Sequence, residues 1–276
     1  MRIKDILLVA RAGEPCEAQV AITARMAGEH DAMVDGVCVY PEPDLSAADV
    51  FADTKVEAGV LSHRQEAIER MVAPIEAAYR AAIADHGHSH SWSSGEAEER
   101  TWALIRQARF ADLVVAGIPG DDSFARRLVE SLAINSGAPC LLTPCSVKSD
   151  EFQRVMLAWD GSREAKRAMD DGLVFMAAAR SVRVLIAHEA GDGAFYEDHG
   201  GHLLSHLSRH GVHAELKVVT KPGGKIGEVL LGECQAFAAD LLIMGAYGHA
   251  RAREVVLGGA TSTMLARAAQ PVLMSH

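Results

Sequence analysis

The sequence predicts an α/β protein built from two tandem domains, each a doubly wound parallel sheet. Short apolar runs of strand length alternate with longer segments of helical period along the 276 residues. This order restarts after a polar stretch at residues 144–152, and the ends of the two halves repeat in sequence. Alternating strands and helices predict βαβ crossovers, and therefore parallel sheets that are covered on both faces.

Two pairs of similar segments carry the repeat. The first pair is ADLVVAGIPG at residues 111–120 and ADLLIMGAYG at residues 239–248. The second pair is GAPCLLTP at residues 137–144 and AQPVLMSH at residues 269–276. Such a repeat indicates an internal duplication. We therefore expect one domain at residues 1–144 and a second at residues 153–276.

The first half has apolar runs that predict five strands. Prolines 41 and 43 end the second strand, and the long segment after it has one apolar face that includes Ile68, Ile75 and Tyr79. Strands are predicted at residues 4–10, 33–40, 88–93, 112–116 and 139–143, and helices at residues 15–28, 50–86, 96–109 and 120–136.

The second half repeats this order. Gly191 to Gly201 is predicted as a loop because of its glycines. Strands are predicted at residues 155–159, 182–188, 212–220, 241–244 and 271–276, and helices at residues 164–179, 202–210 and 226–238, with a last one opening after Gly259.

The charge and composition of the chain exclude several classes of partner. The formal net charge is −10 at pH 7, whereas nucleic acids and anionic membranes are bound by clustered Lys and Arg. The apolar runs fall far below the roughly 20 residues that span a bilayer, and no signal peptide is visible. Five scattered cysteines indicate reduced thiols. We expect a cytoplasmic protein that binds neither nucleic acid nor membranes.

A glycine-rich segment follows the strand predicted at residues 241–244. Gly245 and Gly248 end that strand, a basic segment with Arg251 and Arg253 follows, and a glycine pair precedes the next helix. Glycines let backbone NH groups converge on an anion, and a helix N-terminus adds positive potential. The segment is either a phosphate cradle or a glycine-rich surface turn, and glycine spacing alone leaves both open.

The second half resembles the universal stress protein family in two motifs. The first motif is three glycines, separated by two and then by nine residues, and Gly245, Gly248 and Gly258 have this spacing. The second motif is AWDGS at residues 158–162, in which Asp160 follows the first strand of this half. The resemblance implies a Rossmann-like fold of the adenine nucleotide alpha hydrolase-like type. Position 259 departs from the family pattern, because it is Gly where nucleotide-binding members carry Ser or Thr.

The resemblance implies a binding site for ATP, with Mg²⁺, or for a related adenine nucleotide. Asp160 would accept a hydrogen bond from the adenine amine, although a helix-capping aspartate that touches no ligand is the alternative. Thr261 and Ser262 lie one turn beyond Gly259 and are candidate replacements for the missing hydroxyl. The predicted site residues are Asp160, Gly161, Ser162, Met244, Gly245, Gly248, His249, Arg251, Arg253, Gly258, Gly259, Thr261 and Ser262.

The first half departs from the family pattern at its ligand positions. Alignment of the first strands puts Arg11 where Asp160 stands. Gly117 and Gly120 are present, but Glu130 replaces the third glycine, and the loop is shorter by four residues. A carboxylate there would repel phosphates. We expect the first half to be a structural partner without a nucleotide.

The resemblance also implies how the halves associate and what the protein does. The last strands, CLLT and VLMS, are predicted to pair, giving an internal pseudo-dimer, with a homodimer as the alternative. We expect a stress-response binding or regulatory module. The alternatives are a non-nucleotide dimerisation module with vestigial loops and a slow ATPase. No catalytic motif is present, so at most weak ATP hydrolysis is expected.

Histidines form two further patterns. The spacing of one set places its members on one face of a helix, where a pair one turn apart can chelate zinc. We favour a polar helix face and do not expect zinc, because no third ligand is evident. The second set alternates, which is typical of a solvated edge strand. The two sets are His199, His202, His206 and His210, and His86, His88 and His90.

Overall fold

The computed structural model confirms the predicted α/β class. Ten strands form one sheet in the order β3-β2-β1-β4-β5-β10-β9-β6-β7-β8. All neighbouring strands are parallel except the central pair, β5 and β10. The structure describes residues 3–42, 56–84, 87, 89–145, 147, 150–188, 193–220, 225–248 and 259–276.

The first five strands alternate with four helices in the described ranges. Their bounds are β1 Asp5–Arg11, α1 Glu17–His30, β2 Met33–Tyr40, α2 Val56–Ala84, β3 His90–Glu96, α3 Ala97–Ala108, β4 Leu113–Gly117, α4 Ser123–Asn135 and β5 Cys140–Thr143.

The last five strands repeat the arrangement. Their bounds, with those of the helices described between them, are β6 Arg154–Ala158, α5 Arg163–Ala178, β7 Ser181–His188, α6 Gly193–Arg209, β8 Ala214–Thr220, α7 Ile226–Phe237, β9 Leu241–Gly245, α8 Gly259–Arg267 and β10 Val272–Ser275.

The two halves meet through the strands that the sequence predicted. β5 and β10 pair antiparallel, with Leu141 opposite Leu273 and Leu142 opposite Val272. These four side chains are buried. Because two strand edges are satisfied by each other, the halves form one continuous sheet and neither edge is left open at the centre. The pseudo-dimeric packing is thereby confirmed.

Both faces of the sheet are covered by helices. In β1, Ile6 and Leu8 belong to one buried apolar cluster, whereas Leu7 and Val9 belong to the cluster on the other face. A strand buried on both faces has an uninterrupted apolar sequence, which is why these strands could be located from the sequence. The site described below lies at the end of this covered sheet.

One prediction in the second half was wrong. α6 begins at Gly193, so most of the segment predicted as a loop is helical. Gly200 lies inside this helix, and a Cβ atom there would approach Cδ2 of Leu216 to 2.5 Å. The glycine therefore permits close packing of α6 on β8 and does not break the helix. No helix within the described ranges combines the length and apolarity that crossing a bilayer requires.

Candidate functional site

The candidate site lies at the switch point of the second half of the sheet. β6 has β7 on one side and β9 on the other. In a doubly wound sheet the crevice beyond the carboxyl ends of two such strands is the usual place for a ligand. The pairing of Leu157 with Ile243 brings the segments after β6 and β9 side by side. Asp160 and Gly245 lie at these two carboxyl ends.

A tight turn fixes Asp160 at the start of α5. Oδ1 of Asp160 accepts a hydrogen bond from the backbone NH of Ser162 at 2.9 Å. Gly161, between them, has a φ of +76°, which favours glycine. Oγ of Ser162 accepts from the NH of Ala165 at 3.1 Å and so caps α5. The turn orients an exposed carboxylate at the mouth of the crevice.

Gly245 is required by packing. A Cβ atom at this position would lie 2.6 Å from the backbone nitrogen of Ala165 and 2.6 Å from the carbonyl carbon of Glu164. The first turn of α5 therefore lies directly against the end of β9. Met244, one residue earlier, is buried in the core. Gly245 and Met244 therefore fix the end of β9 through packing.

Gly248 lies over a buried carboxylate. A Cβ atom there would be 2.9 Å from Oε2 of Glu164 and 3.3 Å from Oγ of Ser162. Glu164 is buried, and its ion-pair partner Arg163, at 3.3 Å, has a side chain that is 95% exposed. An exposed partner offsets little of the charge. The crevice therefore has a negative charge beneath Gly248.

Sequence reasoning missed Glu164. The residue lies in the first turn of a helix, where an acid is ordinary because it faces the positive end of the helix dipole. Its burial results from the approach of Gly245 and Gly248, which are more than 80 residues away in the chain. The sequence pattern, with Ser162 as the cap and Glu164 in the first turn, does not indicate this contact.

The start of α8 contains the other predicted residues of the described part. Gly259 is exposed, and a Cβ atom there would meet nothing within 4 Å. Thr261 is buried, and its Oγ1 accepts from the NH of Tyr247 at 3.4 Å. Oγ of Ser262 accepts from Arg126 of the first half at 3.1 Å. Four further predicted residues lie outside the described residues, namely His249, Arg251, Arg253 and Gly258.

Polar groups at this end of α8 join the two halves. Arg126 also donates to the carbonyl oxygen of Gly120 at 3.0 Å. The NH of Gly120 in turn donates to the carbonyl oxygen of Leu265 in α8 at 3.1 Å. Tyr247 has a φ of +60°. The pKa of its hydroxyl is raised, first by burial and then by the nearby carboxylate of Glu130. Glu130 thus faces the second half.

The equivalent crevice of the first half is closed by its own side chains. Arg11 donates to Oε1 of Glu14 at 2.6 Å and to Oδ2 of Asp122 at 2.7 Å. Gly117 lies against the amide nitrogen of Gln19, which is buried. Asp122 also caps α4, and the NH of Ala125 and the Arg11 guanidinium lower the pKa of its carboxyl. In the first half Arg11 is thus paired with two carboxylates at the place where the second half exposes Asp160.

Three of the four histidines predicted to share a helix face, His199, His202 and His206, lie on α6, and His210 follows its last residue. The rings of His206 and His210 are 4.7 Å apart, and Nε2 of His202 lies 3.8 Å from Oδ2 of Asp198. Burial, and then the neighbouring His210, lower the pKa of His206. Among the described residues, no group of three or more His, Cys, Asp or Glu side chains is placed to hold a metal ion. His86 and His88 lie outside the described residues.

Comparisons with known proteins identify the family of the second half and support the fold of the chain. Residues 151–276 match the universal stress protein family. Universal stress protein Slr1230 of Synechocystis sp. is 31% identical over 144 residues, which are 49% of this chain and 46% of that protein. The chain thus matches a little under half the length of this relative.

Solved structures show the same fold over the whole chain. The crystal structure of a universal stress protein from Archaeoglobus fulgidus has 15% identity and a TM-score of 0.71, covering 100% of this chain and 99% of that one. A putative universal stress protein from Pseudomonas aeruginosa has 14% identity and a TM-score of 0.58, covering 99% and 93%. These similarities support the fold.

The fold and the crevice define a doubly wound α/β protein with a glycine loop at the switch point of its second half. The chain contains a domain that matches the universal stress protein family at residues 151–276. Its first half shares the fold and has a closed crevice.

Proposed function

We propose that the second half, residues 153–276, binds ATP or a related adenine nucleotide with Mg²⁺, and that the protein is a stress-response binding module. The observation that carries this proposal is the contrast between the two crevices. In the second half an exposed Asp160 and the glycine loop lie together at the switch point, whereas in the first half Arg11 fills that position. Residues 1–144 would then act as a structural partner.

The adenine side of the proposed site is built on Asp160. A carboxylate accepts hydrogen bonds from an exocyclic amine, and the turn at Gly161 and Ser162 holds it in one orientation. Gly161 leaves the space beside the carboxylate clear, since a Cβ atom there would meet nothing within 4 Å. A flat base can therefore approach the turn closely.

The phosphate side is built on α8. The first NH groups of a helix have no partner within the helix and attract anions, and Gly259 leaves its approach open. Arg251 and Arg253 are proposed to add positive charge. Glu164 opposes a bare polyphosphate, so a nucleotide whose charge is offset by Mg²⁺ is favoured over the free nucleotide. These residues fit an adenine nucleotide with Mg²⁺.

Calorimetric titration of ATP, with and without Mg²⁺, tests the proposal. We expect binding to the full chain with Mg²⁺, weaker binding without it, and a loss of affinity in Asp160→Ala. Asp170→Ala, which removes an exposed aspartate of α5 paired with Lys166, is the matched control and should bind like the parent protein. The absence of binding in the parent protein would refute the proposal, and equal affinity of Asp160→Ala would remove Asp160 from the site.

A specific observation favours the alternative, a dimerisation module with vestigial loops. The hydroxyls that could replace the missing one at position 259 are engaged in holding the structure, Thr261 by Tyr247 and Ser262 by Arg126. The same titration separates the two functions, because this module gives no heat with ATP. Measurement of released phosphate in the same samples tests the slow ATPase.

A further inference from the structure

A second cavity lies in the first half, at a different part of the sheet. Its volume is about 590 Å³, and it opens at the carboxyl ends of β2 and β3, between α2 and α3. The cavity is separate from the crevice that Arg11 closes, which lies after β1. Its lining includes Tyr40, Arg64, Ile68, Gly95, Glu96 and Arg100.

The floor of the cavity is formed by the last residues of two paired strands. Tyr40 is opposite Glu96, and Val39 is opposite Gly95. α3 begins immediately after Glu96, and the Glu96 side chain makes no capping hydrogen bond to it. The positive end of the α3 dipole is therefore directed at this edge of the sheet.

Gly95 allows Arg100 to lie across the floor. A Cβ atom at position 95 would lie 2.7 Å from Cγ and 2.9 Å from Cδ of Arg100, so no other residue leaves room for this side chain in its present position. Nη2 of Arg100 donates to the carbonyl oxygen of Ser94 at 2.8 Å. The guanidinium is thus held at the end of β3, although a glycine within a strand is itself unfavourable.

A second arginine faces the same cavity. Nη2 of Arg64 lies 2.9 Å from Oε2 of Glu96, and the two side chains are 38% and 19% exposed. The lining residues in the described part of the chain therefore include two guanidinium groups and one carboxylate. This local charge of +1 occurs in a chain whose net charge is −10. A ligand with one negative charge would bring the net charge of the cavity to zero.

We propose that this cavity binds a small organic molecule with a single carboxylate and an apolar body. The planar guanidinium of arginine matches the geometry of a carboxylate and can bind both of its oxygens. Ile68, Tyr40 and Ala103 are half-buried and offer apolar surface to the rest of the molecule. The volume is in the range of small-molecule sites. A phosphate, which carries a second negative charge, would leave the cavity with an excess of negative charge.

Benzoate is the probe, and benzamide is its neutral counterpart of the same shape. Titration of the full chain, followed by calorimetry or by ¹H–¹⁵N shifts, should show benzoate binding at least about tenfold tighter than benzamide, the difference expected for loss of one charged hydrogen bond. Inorganic phosphate should bind more weakly than benzoate. Absence of benzoate binding, equal binding of benzamide, or tighter binding of phosphate would each overturn the proposal.

Three variants test the residues. Gly95→Ala displaces Arg100 without changing the charge of the chain, and Arg100→Lys keeps the charge but removes the planar donor group; both should weaken benzoate binding about tenfold. Arg106→Gln, on the same helix but exposed and outside the cavity, should have no effect. Full affinity in both Gly95→Ala and Arg100→Lys would refute the assignment. Thermal melts of each variant establish that it is folded.

Discussion

Substitution of Gly245 by alanine tests whether this motif glycine is required by packing. The added Cβ atom would lie 2.6 Å from two backbone atoms of α5, about 0.8 Å closer than an ordinary contact. Backbone atoms cannot rotate away as a side chain can, so the first turn of α5 must move. That turn also contains the capping hydrogen bond from Ala165 to Ser162.

The expected loss of stability follows from these two contacts. Overpacking of a core by one methyl group costs about 1–3 kcal/mol. Loss of a serine cap costs about 1 kcal/mol. We therefore expect Gly245→Ala to lower the free energy of unfolding by about 2–4 kcal/mol. Gly259→Ala is the matched control, because a Cβ atom there meets nothing within 4 Å, and its effect should lie between zero and a gain of about 1 kcal/mol.

Urea denaturation followed by circular dichroism measures both variants. The midpoint of Gly245→Ala should fall well below that of the parent protein, while Gly259→Ala keeps or raises it. If the free energy of unfolding of Gly245→Ala lies within about 0.5 kcal/mol of that of the parent protein, then α5 does not lie against β9 as described. A ligand-binding explanation of Gly245 would then be preferred.

Three further predictions concern charge and the missing hydroxyl. Gly259→Ser should bind ATP with Mg²⁺ about tenfold tighter by calorimetry, because a hydroxyl hydrogen-bonded to a phosphate contributes about 1.5–3 kcal/mol; an unchanged affinity would contradict the phosphate position. Glu164→Gln should also strengthen ATP binding, by on the order of 1 kcal/mol, and most strongly without Mg²⁺; weaker binding would show that the carboxylate assists the ligand. The pKa of Asp122 is lowered in the folded protein, so its stabilising effect is present above its unfolded value of about 3.9 and is lost as the pH falls below it. Asp122→Asn should therefore reduce the loss of stability seen in urea titrations as the pH falls below about 4, and an identical pH dependence in the two proteins would contradict the Arg11 and Ala125 contacts.

The strands and their order of alternation could be predicted from the sequence because they are buried on both faces. Leu141 and Leu273 belong to such runs, and their repeat also identified the strands that pair across the centre. The turn at Asp160 and Ser162 could likewise be predicted, since its hydrogen bonds are local.

Contacts between distant residues could not be predicted. The loop prediction over α6 was wrong because Gly200 serves packing against Leu216, and the sequence does not show which strand a helix approaches. The burial of Glu164 beneath Gly248 has the same origin. Helical period and glycine spacing describe one element at a time, and these features arise where two elements meet.

The junction of the halves shows this limit most clearly. Ser262 was predicted as a phosphate ligand from its distance to Gly259, but its hydroxyl accepts a hydrogen bond from Arg126, 136 residues away. Sequence alignment of the halves placed Glu130 at a ligand position, whereas it lies beside Tyr247 of the other half. The antiparallel pairing of β5 with β10 creates both contacts.

An NMR titration of the full chain with ATP and Mg²⁺ tests most directly the claim that only the second half binds the nucleotide. Amide signals of Gly161, Gly248 and Gly259 should shift in proportion to occupancy, while that of Gly117, at the crevice closed by Arg11, remains unchanged. Shifts centred on Gly117, or no shifts in either half, would contradict the account.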